Sequence, residues 1–366
     1  MEGPANRLPV AASSPRRTLS AVERWNDLDD VPTDLSGAVV TLGNFDGVHA
    51  GHRAVLARVV ERARALSATS VAITFDPHPV QVLFPDRAPE LVTSLDQRLD
   101  LMSATGLDAA LVMAFTPELA QWSPERFVER VLVDVLHARA VVVGADTRFG
   151  HRNSGDVRTL RELGELHGFD VDVLEDLHPQ ASAARWSSTG VREALAEGDV
   201  EGAARALGRP HRVTGTVVHG DHRGRELGFP TANLGPDSQG MVPADGVYAG
   251  WLLRPSLDET AQRVLPAAVS IGTNPTFDGT SRRVEAYVLD RTDLDLYGER
   301  VVLELVQRLR PTLRFESVDR LVEQMRLDVQ ECREVLGHGV VPRSYGPTYP
   351  VHPQGDEHVD GTTSAD

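Results

Sequence analysis

Between Val39 and Leu174, short apolar and β-branched runs recur with helical stretches between them, and this alternation narrows the fold more than any other feature. Val39–Leu42, Thr69–Phe75, Ala109–Phe115, Ala138–Gly144 and Phe169–Leu174 read as buried strands. Val55, Leu56, Val59, Val60 and Leu66 recur at helical spacing after Gly51, and Ser94–Ala104, Pro124–Leu136 and Val157–His167 are further helical segments. Strands alternating with helices of about ten residues predict an α/β doubly wound parallel sheet. Such sheets bind ligands beyond the carboxyl ends of their strands. The polar residues at those ends are Asn44, Asp46, His78 and Asp146.

The first strand runs into the string GNFDGVHAGH, Gly43–His52. Asp46-Gly47 is a turn dipeptide, and a helix begins near His49 to His52. Two histidines three residues apart share one face of that first turn. Free N–H groups and the positive dipole end make the turn a ready anion site, to which imidazoles add donors, and charge if protonated. A zinc pair is the other chemical reading, but no cysteine or third ligand lies nearby. Further on, Ser187-Ser188-Thr189 opens another helix, where Ser188 and Thr189 read as caps and Arg192 as an exposed charge.

Past Arg209-Pro210 the texture changes to β-rich runs separated by turns: Arg212–Val218, Gly246–Arg254, Arg263–Ile271, Arg283–Leu289 and Arg300–Leu305. No helical period intervenes until Ser317, so a small antiparallel barrel is expected. Leu321, Met325, Val329, Cys332 and Leu336 then form one apolar stripe that should cover a side of the barrel, with Cys332 as core.

Two features of this half carry chemistry. Gly215, Gly220, Gly224 and Gly228 lead into Pro230-Thr231-Ala232-Asn233. Spaced glycines allow close backbone approach to a phosphate chain, and a Thr hydroxyl and an Asn amide oxygen are hard ligands suited to Mg²⁺; a glycine-rich hairpin is the plainer reading. In Arg283–Leu289, alternation puts Val284, Ala286 and Val288 on one face and Glu285, Tyr287 and Leu289 on the other. Glu285 is then either a solvent-facing carboxylate or a general base.

At 366 residues the chain has room for two domains. A net charge of −16 argues against non-specific nucleic-acid or anionic-lipid binding. The single cysteine precludes an internal disulfide and fits a reducing, cytoplasmic setting. No run reaches the roughly 18 apolar residues of a membrane helix. Arg16-Arg17 is followed by Glu23, Arg24, Asp27, Asp29 and Asp30, so no targeting signal is read. Residues 1–19 read as a disordered leader and 339–366 as a disordered tail.

Taken together, GNFDGVHAGH, TFDPHP, VVVGADTRFG, SSTGVREALAEGDV, the glycine motif through PTANL, PADGVYAG, SIGTNPTF, VEAYVLD and LYGE resemble the bacterial bifunctional riboflavin kinase/FMN adenylyltransferases, the prokaryotic FAD synthetases. The likeness runs from about Leu19 to Gly337. It implies an FMN adenylyltransferase domain over 20–206 and a riboflavin kinase domain over 207–338. It implies ATP-dependent phosphorylation of riboflavin to FMN, then adenylylation of FMN to FAD. Glu285 would be the base of the first step, with Thr231 and Asn233 holding Mg²⁺ and phosphate, and Gly215, Gly220, Gly224 and Gly228 lining the nucleotide. His49 and His52 would stabilise charge in the second step, with Gly43, Asn44, Phe45, Asp46, His78, Asp146, Ser188, Thr189 and Arg192 lining its nucleotide. The implied partners are riboflavin, FMN and ATP, with no nucleic acid and no membrane, and a homo-oligomer is allowed. Thr147, where the family carries an aromatic, Tyr287, where many members carry His, and the first 19 residues depart from the pattern.

Overall fold

The computed structural model describes residues 22–175, 186–220, 224, 227–257, 263–276 and 279–337. The expected leader over 1–19 and tail over 339–366 lie outside the described residues.

The first half is a parallel sheet of six strands: β1 (Glu23–Trp25), β2 (Ala38–Leu42), β3 (Thr69–Asp76), β4 (Ala109–Ala114), β5 (Ala138–Gly144) and β6 (Asp170–Leu174). Their order is β1-β4-β3-β2-β5-β6, with every neighbouring pair parallel. Alternation along β2 explains both covers. Val39 faces the cluster of Leu56, Val59 and Met102, from α1 (Ala50–Leu66) and α3 (Leu95–Ser103). Val40 faces the opposite cluster, which includes Phe127, ending α4 (Pro124–Phe127), Leu132 of the π-helical turn that continues it, and Leu160 of α5 (Val157–His167). Successive strands branch to opposite sides of β2, so the crevice at its carboxyl end lies at the switch point of the sheet. β1 is an edge strand of three residues, too short to show a period in the sequence.

The second half is a closed barrel of β7 (His211–Val218), β8 (Thr231–Leu234), β9 (Gly246–Leu253), β10 (Val264–Thr276), β11 (Gly279–Val288) and β12 (Arg300–Arg310). All its pairings are antiparallel. α8 (Val318–Gly337) lies on its outside, where Val329, Cys332 and Leu336 meet Trp251, Leu289 and Val302. Burial pushes the Cys332 thiol up to about 12, so it is an inert core group, as the apolar stripe implied.

Between the halves run α6 (Ser188–Glu197) and α7 (Val200–Leu207). Val191, Leu195, Val200, Ala203 and Leu207 belong to the same apolar cluster as Val213, Leu252 and Val301 inside the barrel. A cut at Leu207 therefore passes through a continuous core. Since each fully buried Val or Leu is worth about 1.5–3 kcal/mol, a Ser187–Gly337 fragment should be markedly more stable than Leu207–Gly337. Urea unfolding of the two fragments checks this, and equal midpoints would show that the helices contribute nothing to the barrel.

Candidate active sites

The loop after β2 is wound tightly. Phe45, Gly47 and Val48 all have left-handed φ angles of 50°, 80° and 40°, which is costly for a β-branched residue. Burial holds it there: Phe45 and Val48 are packed under α1. Asp46 does the rest. Its buried carboxylate accepts the N–H groups of Val92 (3.2 Å) and Thr93 (3.0 Å) and pairs with Arg192 at 2.9 Å. Asp46 thus points inward as a clamp on the loop.

The clamp delivers His49 to the N-cap of α1, where its Nδ1 accepts the N–H of His52 at 3.3 Å. The two imidazoles stack, with centroids 3.6 Å apart, and the Phe45 ring stands edge-on to His52. Because Nδ1 of His49 is an acceptor, its ring proton is assigned to Nε2. Burial, then Arg53 and Arg209, push His49 down to about 4, and burial, then His49 and Arg98, hold His52 well below the usual histidine range. Both rings are therefore neutral at pH 7, each carrying one N–H and no positive charge.

His78 caps α2 (Pro79–Leu83) at the end of β3, its Nδ1 accepting the Val80 N–H at 3.2 Å. α6 reaches the same loop: Ser188 donates to the Asp46 carbonyl at 2.8 Å, while Arg192 holds both the Asp46 carboxylate and the Thr189 hydroxyl. The cap of α6 is Ser187, not Ser188 or Thr189, which leaves the Ser188 hydroxyl for the loop and the Thr189 hydroxyl for Arg192. Gly43 lies against the Phe45 ring, and Thr74 donates to the Asn44 carbonyl. Asp146 stands exposed beyond β5, where Thr147 turns back to Gly144 through its N–H.

Sequence reasoning passed over three arginines here. Arg209, buried before β7, donates to the Gly47 carbonyl at 2.8 Å, and Arg53 to the carbonyl of Leu207, so the loop is tied to the entrance of the barrel. Arg98 is the third.

Around the barrel, Thr231, Asn233 and Glu285 converge. Asn233 and Glu285 are direct partners in the β8–β11 ladder. The Thr231 hydroxyl lies 3.4 Å from Glu285 Oε2 and from the Asn233 amide nitrogen. Val284, Ala286 and Val288 fill the barrel, so Glu285 sits on its outer face, half-buried beside Tyr287. Tyr287 packs edge-on against Phe229. A Cβ on Gly224 would run into the Phe229 backbone carbonyl, so glycine is required there, while one on Gly220 would meet the Asn233 side chain, which would have to move. Gly228 has a left-handed φ of 86°, and Gly215 lies against Leu234. A cavity of about 60 Å³ opens beside them, lined by Thr231, Ala286, Leu296 and Tyr297.

The depressed histidines also bear on stability. The unfolded chain protonates His49 and His211 near 6.5, whereas burial holds both folded groups at about 4. The unfolded state therefore binds more protons between those values, and stability falls as pH drops from about 6.5 towards 4. Urea midpoints measured from pH 7.5 to 5 should decline below pH 6.5; a flat profile would contradict buried neutral imidazoles.

A doubly wound domain with a loop of donors at its switch point, joined to a barrel with a hydroxyl–amide–carboxylate cluster, defines a phosphate-transferring enzyme with two sites. Residues 31–190 match the family model for FAD synthetase and residues 207–336 that for riboflavin kinase. Curated relatives named bifunctional riboflavin kinase/FMN adenylyltransferase include those of Escherichia coli K12, 36% identical over 85% of this chain and 96% of its own length, and Pseudomonas fluorescens, 38% identical over 84% and 95%. A crystal structure titled macrolide-efflux protein from Streptococcus pneumoniae superposes with a TM-score of 0.75 at 29% identity, covering 86% of this chain and 99% of that one. The chain belongs to the bifunctional riboflavin kinase/FMN adenylyltransferase family. It phosphorylates riboflavin to FMN and adenylylates FMN to FAD. No helix among the described residues is long and apolar enough to cross a membrane.

Proposed function

We propose that the two reactions divide between the two clusters, residues 20–206 acting as the FMN adenylyltransferase and 207–338 as the riboflavin kinase. The observation that carries this reading is convergence: residues 54 positions apart meet at Thr231 and Glu285, and residues 146 apart at Asp46 and Arg192.

In the kinase step, riboflavin's 5′-hydroxyl attacks the γ-phosphate of ATP, and Glu285 takes the hydroxyl proton. Gly220 and Gly224 let the chain approach the phosphates closely. The Thr231 hydroxyl and the Asn233 amide oxygen, on one short strand, are hard donors that fit Mg²⁺ sharing its coordination with water and ATP oxygens. Held there by Thr231 and Asn233, Mg²⁺ would supply neutralising charge for the transferring phosphoryl group.

In the second step, the FMN phosphate attacks the α-phosphate of ATP and pyrophosphate leaves. His49 and His52 donate N–H to the oxygens that gain charge, and Ser188, Thr189, Asn44, His78 and Asp146 surround the nucleotide. Asp46 and Arg192 fix the loop. With a single buried cysteine and ATP as co-substrate, the enzyme is assigned to the cytoplasm.

Incubating the protein with riboflavin, ATP and Mg²⁺ and separating the flavins should give FMN first and FAD after it. Chelating the Mg²⁺ should stop FMN formation. FMN alone from a folded protein, or unchanged phosphorylation with chelator present, would contradict the assignment.

A further inference from the structure

Arg98 lies in α3 and is completely buried. Its Nη1 donates to the Thr74 hydroxyl at 3.1 Å and the Phe75 carbonyl at 3.2 Å, at the carboxyl end of β3. The Thr74 hydroxyl passes the contact on to the Asn44 carbonyl at 3.2 Å, inside the His49 loop. Its Nε and Nη2 have no hydrogen-bond partner. A guanidinium without solvent and with idle donors is unfavourable unless the site around it has a use for the charge.

That use follows from the charges nearby. Arg192 is neutralised by Asp46, and Arg53 and Arg209 are engaged by the Leu207 and Gly47 carbonyls. The histidine pair is neutral. A triphosphate entering the crevice brings several negative charges; Arg53 and Arg209 are the cations on the His49 side, and Arg98, faced by Asp46 and Asp76, is the buried cation beneath the β3 end of the loop.

We propose that Arg98 is a positioning residue for adenylyl transfer: through Thr74 it sets the backbone of the Asn44–His52 loop, and its buried charge holds the phosphate side of the crevice positive. The proposal rests on assigning adenylyl transfer to the His49/His52 loop. The groups facing His52 are His49, Arg98 and the Phe45 ring, and those facing His78 are Asp46, Arg98 and Arg192. Removing Arg98 leaves Asp46 to act on His78 and relieves both rings of a nearby cation, so both protonate at higher pH.

The test is Arg98→Met and Arg98→Lys in the full chain, with FMN adenylylation and riboflavin phosphorylation measured on the same preparation. Arg98→Met should lower kcat for adenylylation ~10²-fold while phosphorylation stays near the parent rate, and its acid limb should move to higher pH. Arg98→Lys, which keeps the charge, should recover much of the loss and keep the acid limb in place. Adenylylation near the parent rate in Arg98→Met would overturn the proposal. So would equal losses in both variants with an unmoved acid limb, or a parallel fall in both activities, since these are what a packing role produces. If instead a His49/His52 double variant adenylylates FMN normally, the assignment of the site itself fails, whatever Arg98 does.

Discussion

Replacing His49 and His52 together by alanine is expected to abolish FAD formation while FMN formation continues near the parent rate. Both imidazoles are neutral, so in the proposed mechanism the loss is not one of charge but of two N–H donors to the phosphate oxygens that gain charge. Removing one such donor typically costs ~10²–10³ in rate, and two acting on one transition state lose less than the product. The kinase cluster on β8 and β11, where Thr231, Asn233 and Glu285 meet, provides an internal control. Supplying FMN and ATP and measuring FAD checks the result. Adenylylation surviving within about tenfold would make the stacked histidines a packing feature of the α1 start.

Glu285→Gln is expected to suppress riboflavin phosphorylation by ~10²–10⁴ while supplied FMN is still adenylylated. A primary hydroxyl is a poor nucleophile at neutral pH, and the glutamine keeps the size of the side chain while removing the proton acceptor. The Asn233 pairing across the ladder is backbone in origin, so the substitution leaves β8 and β11 in register. Because Glu285 stands outside the barrel, the change leaves Val284, Ala286 and Val288 in place. Phosphorylation at the parent rate would make Glu285 an ordinary outward carboxylate.

The parts of this molecule legible in the sequence are those whose signal is local. The His49/His52 pair, the β2 run before it and the alternation around Glu285 each lie within a dozen residues, and each folds as the periodicity requires. Strand β8 was hidden because its four residues, TANL, alternate too briefly to mark a strand and read first as ligands. The inward role of Asp46 was hidden too: its partners lie at Val92, Thr93 and Arg192, which no spacing connects to the loop. Nothing in the helical segment Ser94–Ala104 singles out Arg98, since only tertiary packing reveals that its side of α3 faces β3. The same holds for α6 and α7. Their sequence gives good helices with caps, but not that their apolar faces close the barrel while their first turn reaches back to the other site.

The division of labour is tested most directly by mixing the two variants. Glu285→Gln alone, given riboflavin, ATP and Mg²⁺, should make little FMN and hence little FAD; the His49/His52 double variant alone should accumulate FMN. Combined in one reaction, they should form FAD after a lag in which FMN rises, because the kinase site of one protein feeds the adenylylating site of the other. FAD formed from riboflavin by either variant alone at the parent rate, or no FAD from the mixture, would contradict two separate sites.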